Sequence, residues 1–328
     1  MKVSVLGTGR SLPTQSLQSS AIDFDLGLVD RVSSTGVKRR FVCRDEDQID
    51  LAKAAGLAAL ENAGLSVGDI DLVISGSSVP FQPIPSTAPL IMRELGITDG
   101  TAAAFDINST CLSFVSALEA AARMIEGGAA KRALVISSEI ASRALPWDDQ
   151  PEVAALFGDG AAAVVLGPSG DGAPSEIKAI RLRSFPSAYE ACHIGAGGTR
   201  FDFETDHQAF VANAKFGMNG KELFRLTSQH FNTFMGDLLK QAGWARSDVD
   251  LVIPHQASPA GLDHMIRQTG FDRDRVVRIV EDYGNQIAAS IPFALDIARE
   301  KGLLAEGSRV LMLGTSAGVS FGGAALVI

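Results

Sequence analysis

Three side chains in this sequence have types and positions that suit nucleophilic catalysis, and Cys111 is the first of them. It follows an apolar strand candidate and a short polar turn, and it directly precedes a helix candidate at residues 112–126. The free N–H groups at the start of a helix favour a thiolate, so a cysteine at this position is expected to have a lowered pKa. A thiolate can attack an acyl group and form a covalent intermediate. The competing interpretation is a buried cysteine that packs as a small apolar side chain.

His255 and Asn285 are the other two candidates. His255 follows the apolar run at residues 251–253, at the end of a strand where α/β sheets often place their sites. Asn285 lies in a turn ahead of another helix candidate. Each also has an ordinary explanation, as a hydrogen-bonded loop histidine and as a turn-forming asparagine. The N–H groups of an imidazole and of an amide can stabilise an oxyanion. Whether His255 and Asn285 do so depends on whether the fold brings them to Cys111.

The elements around these residues alternate between short apolar strands and amphipathic helices. Strands are predicted at residues 2–7, 71–75, 101–106, 132–137 and 161–166, and helices at residues 50–63, 85–95, 112–126 and around 292–299. Gly64 is predicted to cap the first of these helices at its C-terminus. Strands that alternate with helices favour a mostly parallel sheet covered on both faces.

An internal repeat in the sequence would position the three side chains. The string DIDLVI beginning at Asp69 returns as DVDLVI beginning at Asp248, 179 positions later, and an Ala-Gly pair precedes each copy. Residues 117–119 (ALE) return 177 positions later as ALD, and a Gly/Ala-rich strand closes each copy. Because three elements recur in the same order in the two parts of the chain, the sequence indicates a duplication. The halves are predicted at residues 1–168 and 210–328, with residues 169–209 as linker and surface loops.

The duplication makes the helix after Cys111 and the helix after Asn285 equivalent. A pseudo-twofold axis would bring the N-termini of these two helices to one central point. Cysteine, histidine and asparagine could then meet although Cys111 and His255 are 144 residues apart. The sequence therefore predicts a site between the two halves.

Composition narrows the classes of function. Of 328 residues, 46% are hydrophobic and 20% charged, which is typical of a folded globular protein. The net charge of −9 disfavours nucleic acid as a partner. No apolar run reaches the roughly 18 residues of a membrane span, and the apolar stretch near Met1 is too short for a secretory signal. Three cysteines indicate reduced thiols and a cytoplasmic protein, with Cys43 and Cys192 interpreted as ordinary thiols.

Motifs along nearly the whole chain resemble the thiolase superfamily of condensing enzymes, and most closely β-ketoacyl-acyl carrier protein synthase III. They are residues 6–9 (LGTG), 34–37 (STGV), Phe105-Asp106 with Cys111, residues 157–161 (FGDGA) and 254–257 (PHQA), and Gly284-Asn285 with residues 288–292 (AASIP). The resemblance implies a five-layered αβαβα fold built from two duplicated halves, and a homodimer. It also implies that Cys111 accepts the acyl group, with His255 and Asn285 completing the triad.

By this resemblance the reaction is a decarboxylative Claisen condensation. An acyl group passes from acyl-CoA to Cys111, and a malonyl thioester on acyl carrier protein or coenzyme A then loses carbon dioxide and attacks it. His255 and Asn285 would stabilise the enolate, and the backbone N–H groups of Cys111 and Ala317 would hold the acyl carbonyl. The resemblance implies no cofactor and no metal, and the five histidines show no metal-ligand spacing.

The rim of the predicted site departs from the family pattern. A tryptophan expected near Asp30 is absent, and Ser258 and Ala260 occupy positions where carrier-docking residues are expected. These changes leave open an acyltransferase on the same scaffold that passes the acyl group to a hydroxyl or an amine. A degenerate, non-enzymatic partner subunit is a further alternative, against which the intact triad argues.

Four more residues are candidates at the rim. Ile84 is expected at the mouth of the partner subunit's acyl pocket. Phe157 is expected to line the acyl channel, although core packing alone would explain it. Lys221 and Arg225 are candidate contacts to the carrier or to coenzyme A phosphates, with a solvated helix face as the alternative.

Overall fold

Two mixed β-sheets organise the chain in the computed structural model, which describes residues 1–170, 172 and 175–328. The strands are β1 (Val3–Ser11), β2 (Gln15–Gln18), β3 (Arg39–Val42), β4 (Leu72–Ser75), β5 (Ala103–Asp106), β6 (Ala133–Glu139), β7 (Gly160–Pro168), β8 (Glu176–Ser184), β9 (Cys192–His193), β10 (Gly217–Met218), β11 (Leu251–Pro254), β12 (Arg309–Ser316) and β13 (Ser320–Val327). The helices are α1 (Ser19–Asp25), α2 (Gln48–Ala63), α3 (Thr87–Glu94), α4 (Ser113–Glu126), α5 (Pro151–Ala154), α6 (His207–Ala212), α7 (Gly220–Ala242), α8 (Pro259–Thr269), α9 (Val280–Tyr283) and α10 (Ser290–Glu300).

The elements stack in five layers because both sheets are apolar on both faces. One sheet has the strand order β1-β7-β6-β4-β5, and the other has the order β11-β12-β13-β8. In β4, Val73 faces outward to α2 and α3, whereas Leu72 and Ile74 face inward to α4 and α10. The second sheet covers the other side of α4 and α10 and carries α7 and α8 on its outer face. This αβαβα arrangement confirms the predicted fold.

The helices α4 and α10, which the repeat makes equivalent, begin in the same way. Short 3-10 turns at Thr110–Leu112 and Ile287–Ala289 lead into α4 and α10, and both the turns and the helix starts are 177 positions apart. The two turns are in contact with each other at the centre of the molecule. The expected meeting of the two helix N-termini is therefore present, whereas the domain boundaries at residues 168 and 210 stay predictions.

The expectation of mostly parallel sheets is wrong. Strand β4 runs parallel to both β5 and β6, but β6 pairs antiparallel with β7, and β7 pairs antiparallel with β1. Parallel neighbours need a long crossover, usually a helix. The connection from β6 to β7 instead carries a 3-10 turn and the four-residue α5, so the chain returns in the opposite direction.

The predicted linker, residues 169–209, is not all surface loop. It contains β8, which pairs antiparallel with β13 and forms the edge of the second sheet. Ile177 and Ile180 bury in the central core, which holds this segment in the sheet. Within the same predicted linker, Asp171, Ala173 and Pro174 lie outside the described residues.

Candidate active site

Cys111 lies in the 3-10 turn that leads into α4, where backbone N–H groups converge. The backbone N–H groups of Ala317, in the turn between β12 and β13, and of Cys111 itself lie close enough to the sulfur to favour its thiolate form. The structure therefore brings together the two N–H groups that the resemblance implied as an oxyanion site. Their catalytic role stays a prediction.

The acidity of Cys111 differs from the expectation. Burial, together with the neighbouring Cys192 and Glu139, raises the pKa of its thiol to about 12, although the N–H groups of Ala317 and Cys111 act in the opposite direction. The expected lowered pKa is wrong because removing the thiolate from water outweighs the N–H groups at the helix start. The sequence predicts Cys192 to be an ordinary thiol. In the structure it is one of the groups that raise the pKa of the Cys111 thiol.

His255 follows β11 and approaches the nucleophile turn across a glycine. Its backbone N–H donates to the carbonyl of Leu313 in β12 at 2.8 Å. A Cβ added to Gly314 would lie 2.9 Å from Leu112 Cδ2 and 3.1 Å from His255 Cβ. A side chain at position 314 would crowd both His255 and Leu112, so the glycine allows the two segments to come this close.

The imidazole of His255 is neutral at physiological pH. The side chain is buried, and burial lowers its pKa to about 4, although the adjacent backbone of Ile287 acts in the opposite direction. Nδ1 is buried and has no hydrogen-bond partner among the described residues. A neutral imidazole with one N–H is suited to donate to a developing oxyanion.

Asn285 is held by its backbone and by its amide oxygen. Its N–H donates to the carbonyl of Leu156 at 2.7 Å, and its own carbonyl accepts from Gly158 N–H at 3.2 Å. The side-chain Oδ1 accepts from the N–H of Ile287 at 2.8 Å. With the oxygen engaged in this way, the amide NH2 is the end available to a substrate. Ile287 thus contacts both His255 and Asn285.

The two central turns share a left-handed residue that the sequence-based reasoning missed. Thr110 and Ile287, 177 positions apart, have φ values of 50° and 49°. Each N–H donates to the side-chain oxygen of an asparagine two residues earlier, Asn108 or Asn285, at 2.8 Å. β-branched residues rarely adopt this conformation, and such strain concentrates at functional sites. Extending the repeat to this asparagine pair would have revealed the match.

The acyl-pocket candidates have different environments. Phe157 is buried, packs edge-to-face on Phe216 with ring centroids 5.1 Å apart, and its backbone bridges to that of Asn285. It therefore adjoins the candidate site. Ile84 is 87% exposed, so this chain alone does not bring it to the site.

The cation candidates lie on the exposed first turns of α7. Lys221 and Arg225 are both exposed, and the guanidinium of Arg225 forms an ion pair with Glu222 on the same helix. Strand β10, which precedes this helix, pairs with Cys192 through Met218. The start of α7 is thus linked through Met218 to Cys192, which neighbours Cys111.

The described part of the chain shows neither a metal-binding cluster nor a membrane-spanning helix. No group of three or more His, Cys, Asp or Glu side chains is arranged there to hold a metal ion. No helix there has both the length and the apolar character that crossing a membrane requires.

Comparisons with known proteins place this geometry in context. Residues 105–185 match the family model of 3-oxoacyl-[acyl-carrier-protein (ACP)] synthase III, and residues 239–328 match the model of its C-terminal part. The chain is 35% identical over 332 residues to the β-ketoacyl-[acyl-carrier-protein] synthase III of Thiobacillus denitrificans, covering 98% of each protein. It is 34% identical over 322 residues to an acetoacetyl CoA synthase of a Streptomyces species, covering 96% of this chain and 95% of the relative. The crystal structure of 3-oxoacyl-(acyl carrier protein) synthase III from Pseudomonas aeruginosa matches with a TM-score of 0.89 and 31% identity, covering 100% of this chain and 98% of that one.

Proposed function

The chain belongs to the β-ketoacyl-acyl carrier protein synthase III family, and we propose that it moves an acyl group from acyl-CoA to Cys111 and condenses it with a malonyl thioester. The observation that carries the proposal is the position of the Cys111 sulfur, at the start of α4 and against the N–H of Ala317. The grouping of His255 and Asn285 around Ile287, on the turn that contacts the nucleophile turn, supports it further.

In the first step the sulfur of Cys111 attacks the thioester carbonyl of acyl-CoA. The new S–C bond forms, the bond to the coenzyme A sulfur breaks, and the thiol proton leaves with the coenzyme A thiol. The N–H groups of Cys111 and Ala317 donate to the carbonyl oxygen while it carries negative charge. Because burial raises the pKa of Cys111, the resting group is the thiol, and its proton has to leave the sulfur for the S–C bond to form.

In the second step the malonyl thioester loses its carboxylate as carbon dioxide. The electron pair of the broken C–C bond passes to the enolate, whose oxygen becomes the centre of negative charge. The imidazole of His255 and the amide NH2 of Asn285 donate to this oxygen. Both donors are neutral, since burial lowers the pKa of His255 to about 4.

The third step joins the two fragments. The enolate carbon attacks the acyl carbonyl on Cys111, the S–C bond breaks, and the sulfur takes up a proton. The product is a β-ketoacyl thioester on the extender's carrier. The N–H groups of Cys111 and Ala317 stabilise the second tetrahedral intermediate as they did the first, so one oxyanion site serves both acyl transfers.

The proposal includes the partners of the reaction. The primer is an acyl-CoA, and the extender is malonyl-acyl carrier protein or malonyl-CoA, since the relatives include both a carrier-protein synthase and an acetoacetyl CoA synthase. Lys221 and Arg225 are proposed contacts for the phosphates of these thioesters. No cofactor is proposed, because the chain's own sulfur and N–H donors serve each step. The working form is a homodimer in the cytoplasm, where the thiols stay reduced.

Intact-mass spectrometry of the full chain tests the nucleophile. The protein is incubated with a panel of short, branched, long and aromatic acyl-CoAs. At least one acyl mass should appear on the wild type and none on Cys111→Ala. An acyl group retained by Cys111→Ala would show that the nucleophile is a different residue.

A second assay tests the condensation. Malonyl-acyl carrier protein or malonyl-CoA is added to the acylated enzyme, and carbon dioxide release and product are measured. His255→Ala and Asn285→Ala should keep acylation and lose carbon dioxide release. If alcohols or amines released the acyl group and no malonyl thioester were consumed, the reaction would be simple acyl transfer and the proposed condensation would be wrong.

A further inference from the structure

We propose that Thr110 and Ser316 form a positioning pair that holds Cys111 from the opposite half of the molecule, an inference that rests on the proposed role of Cys111. Thr110 directly precedes Cys111, and Ser316 directly precedes Ala317. The two hydroxyl oxygens are 2.6 Å apart although 206 positions separate the residues in sequence. The pair therefore joins the two segments that must keep the sulfur and the Ala317 N–H together.

The direction of the hydrogen bonds follows from the available protons. Ser316 Oγ lies 2.8 Å from the carbonyl oxygen of Ser109, which can only accept. The single hydroxyl proton of Ser316 is used in that bond, so the hydroxyl of Thr110 donates to Ser316. Ser316 is buried, and this short chain satisfies its hydroxyl without solvent. Buried networks of this kind specify one arrangement of the groups they join.

Comparison with the equivalent turn shows that the hydroxyl is not needed to form the left-handed conformation. Ile287 adopts the same φ as Thr110 and binds its own asparagine at the same distance, yet it has no hydroxyl. The position after Ile287 is Ala288, whereas the position after Thr110 is Cys111. The hydroxyl is thus present on the turn that carries the nucleophile and absent from the turn that does not.

The expected consequence is a loss of rate without a loss of substrate affinity. Neither hydroxyl lies on the residues proposed to bind the thioester, so KM for acyl-CoA should change little. Release of the turn would let Cys111 move away from the Ala317 N–H, and small displacements of reacting groups lower rates strongly. Thr110 and Ser316 are therefore positioning residues.

The test measures the rate of acyl addition to Cys111 by rapid-quench mass spectrometry with an acyl-CoA that the wild type accepts. Thr110→Val keeps the β-branched shape and removes the hydroxyl, whereas Thr110→Ser keeps the hydroxyl. We expect Thr110→Val and Ser316→Ala to slow acylation at saturating acyl-CoA by about tenfold or more. KM should stay within about twofold, and Thr110→Ser should restore most of the rate. The double variant should be no slower than the slower single variant.

Thr227→Val is a matched control, because the Thr227 hydroxyl donates to a helix carbonyl in α7 at 2.7 Å. It should acylate at the wild-type rate. Normal acylation in Thr110→Val, or losses that multiply in the double variant, would overturn the positioning pair. If Thr110→Val does not fold, Ser316→Ala tests the same hydrogen bond from its other partner. A wild type whose acyl group resides on a residue other than Cys111 would instead overturn the proposed function.

Discussion

At the scale of single residues, the charge states of Cys111 and His255 define the resting site. Burial raises the pKa of the thiol to about 12 and lowers the pKa of the imidazole to about 4. Between these values both side chains are neutral. The site therefore rests as a thiol beside an imidazole and not as a thiolate–imidazolium pair. Two measurements of pH dependence follow from this state.

The first concerns the reactivity of Cys111 toward iodoacetamide. Only the thiolate reacts, so the alkylation rate should rise about tenfold per pH unit from pH 6 to pH 9 and show no plateau. Peptide mapping assigns the modified cysteine, and Cys111→Ala provides the blank. A plateau below pH 8 would mean that the helix start stabilises the thiolate more than burial opposes it.

The second concerns the stability contributed by neutral His255. An unfolded histidine takes up its proton near pH 6.5, whereas the folded one does so near pH 4. The unfolded state therefore binds more protons in this window, and the free energy of unfolding should fall as the pH drops from 6.5 toward 4. Chemical denaturation of the wild type and of His255→Gln measures the difference. Equal slopes in the two proteins would show that His255 is not buried as neutral imidazole.

At the scale of elements, helical periodicity predicted α2, α4 and α10, and the repeat predicted that α4 and α10 are equivalent. The antiparallel direction of β7 was not predicted, because it depends on what connects β6 to β7 and not on the strand's own residues. Strand β8 lies inside the predicted linker, although residues 176–184 (EIKAIRLRS) alternate charged and apolar side chains over most of their length, as an edge strand does. The left-handed backbone of Thr110 could not be read from a β-branched residue, which ordinarily avoids that conformation.

The turn before Asn285 gives a prediction about its glycine. Gly284 has φ 70° and ψ −173°, a region open essentially to glycine alone. A Cβ there would lie 2.9 Å from the backbone carbon of Phe157. Gly284→Ala should lower the free energy of unfolding by about 1–3 kcal/mol and slow decarboxylation by displacing Asn285.

Its matched control is Gly236→Ala. Gly236 lies within α7, and an added Cβ would meet no atom within 4 Å. This change should raise the free energy of unfolding by about 0.5–1 kcal/mol because alanine favours the helix. Denaturant titrations of both variants provide the comparison. If Gly284→Ala were as stable as the wild type, the turn would have another conformation available to it.

At the scale of the whole molecule, the two halves share one central core. Helices α4 and α10 lie side by side between the two sheets, and residues from both halves bury against them. The proposed nucleophile comes from the first half, and the proposed donors His255, Asn285 and the Ala317 N–H come from the second. Because one core serves both halves and the site lies between them, neither half should fold or work alone.

The outer edge of the first sheet indicates where a second copy of the chain would bind. Strand β5 is the terminal strand of that sheet, and an unpaired edge is a surface that can accept another strand. The segment between β4 and α3, whose end is bound to β5 by the hydrogen bond from Thr87 N–H to Asp106, exposes Val79, Phe81 and Ile84 in the single chain. Apolar side chains beside an open strand edge are typical of a surface that is covered in an oligomer.

Ile84→Asp tests the dimer and the predicted pocket together. Placing a charge on this apolar surface should shift the mass measured by light scattering from two chains to one, because a buried unpaired carboxylate opposes association.

If Ile84 also borders the partner subunit's acyl pocket, the milder Ile84→Ala should keep the dimer and widen the range of acyl-CoAs that acylate Cys111. Leu303→Asp, at an exposed leucine in the turn after α10, is the control and should leave mass and acyl range unchanged. A wild type that is already a single chain, or an Ile84→Asp protein that stays dimeric, would place the subunit contact elsewhere. A dimeric Ile84→Ala protein with the wild-type acyl range would remove Ile84 from the pocket and leave the dimer in place.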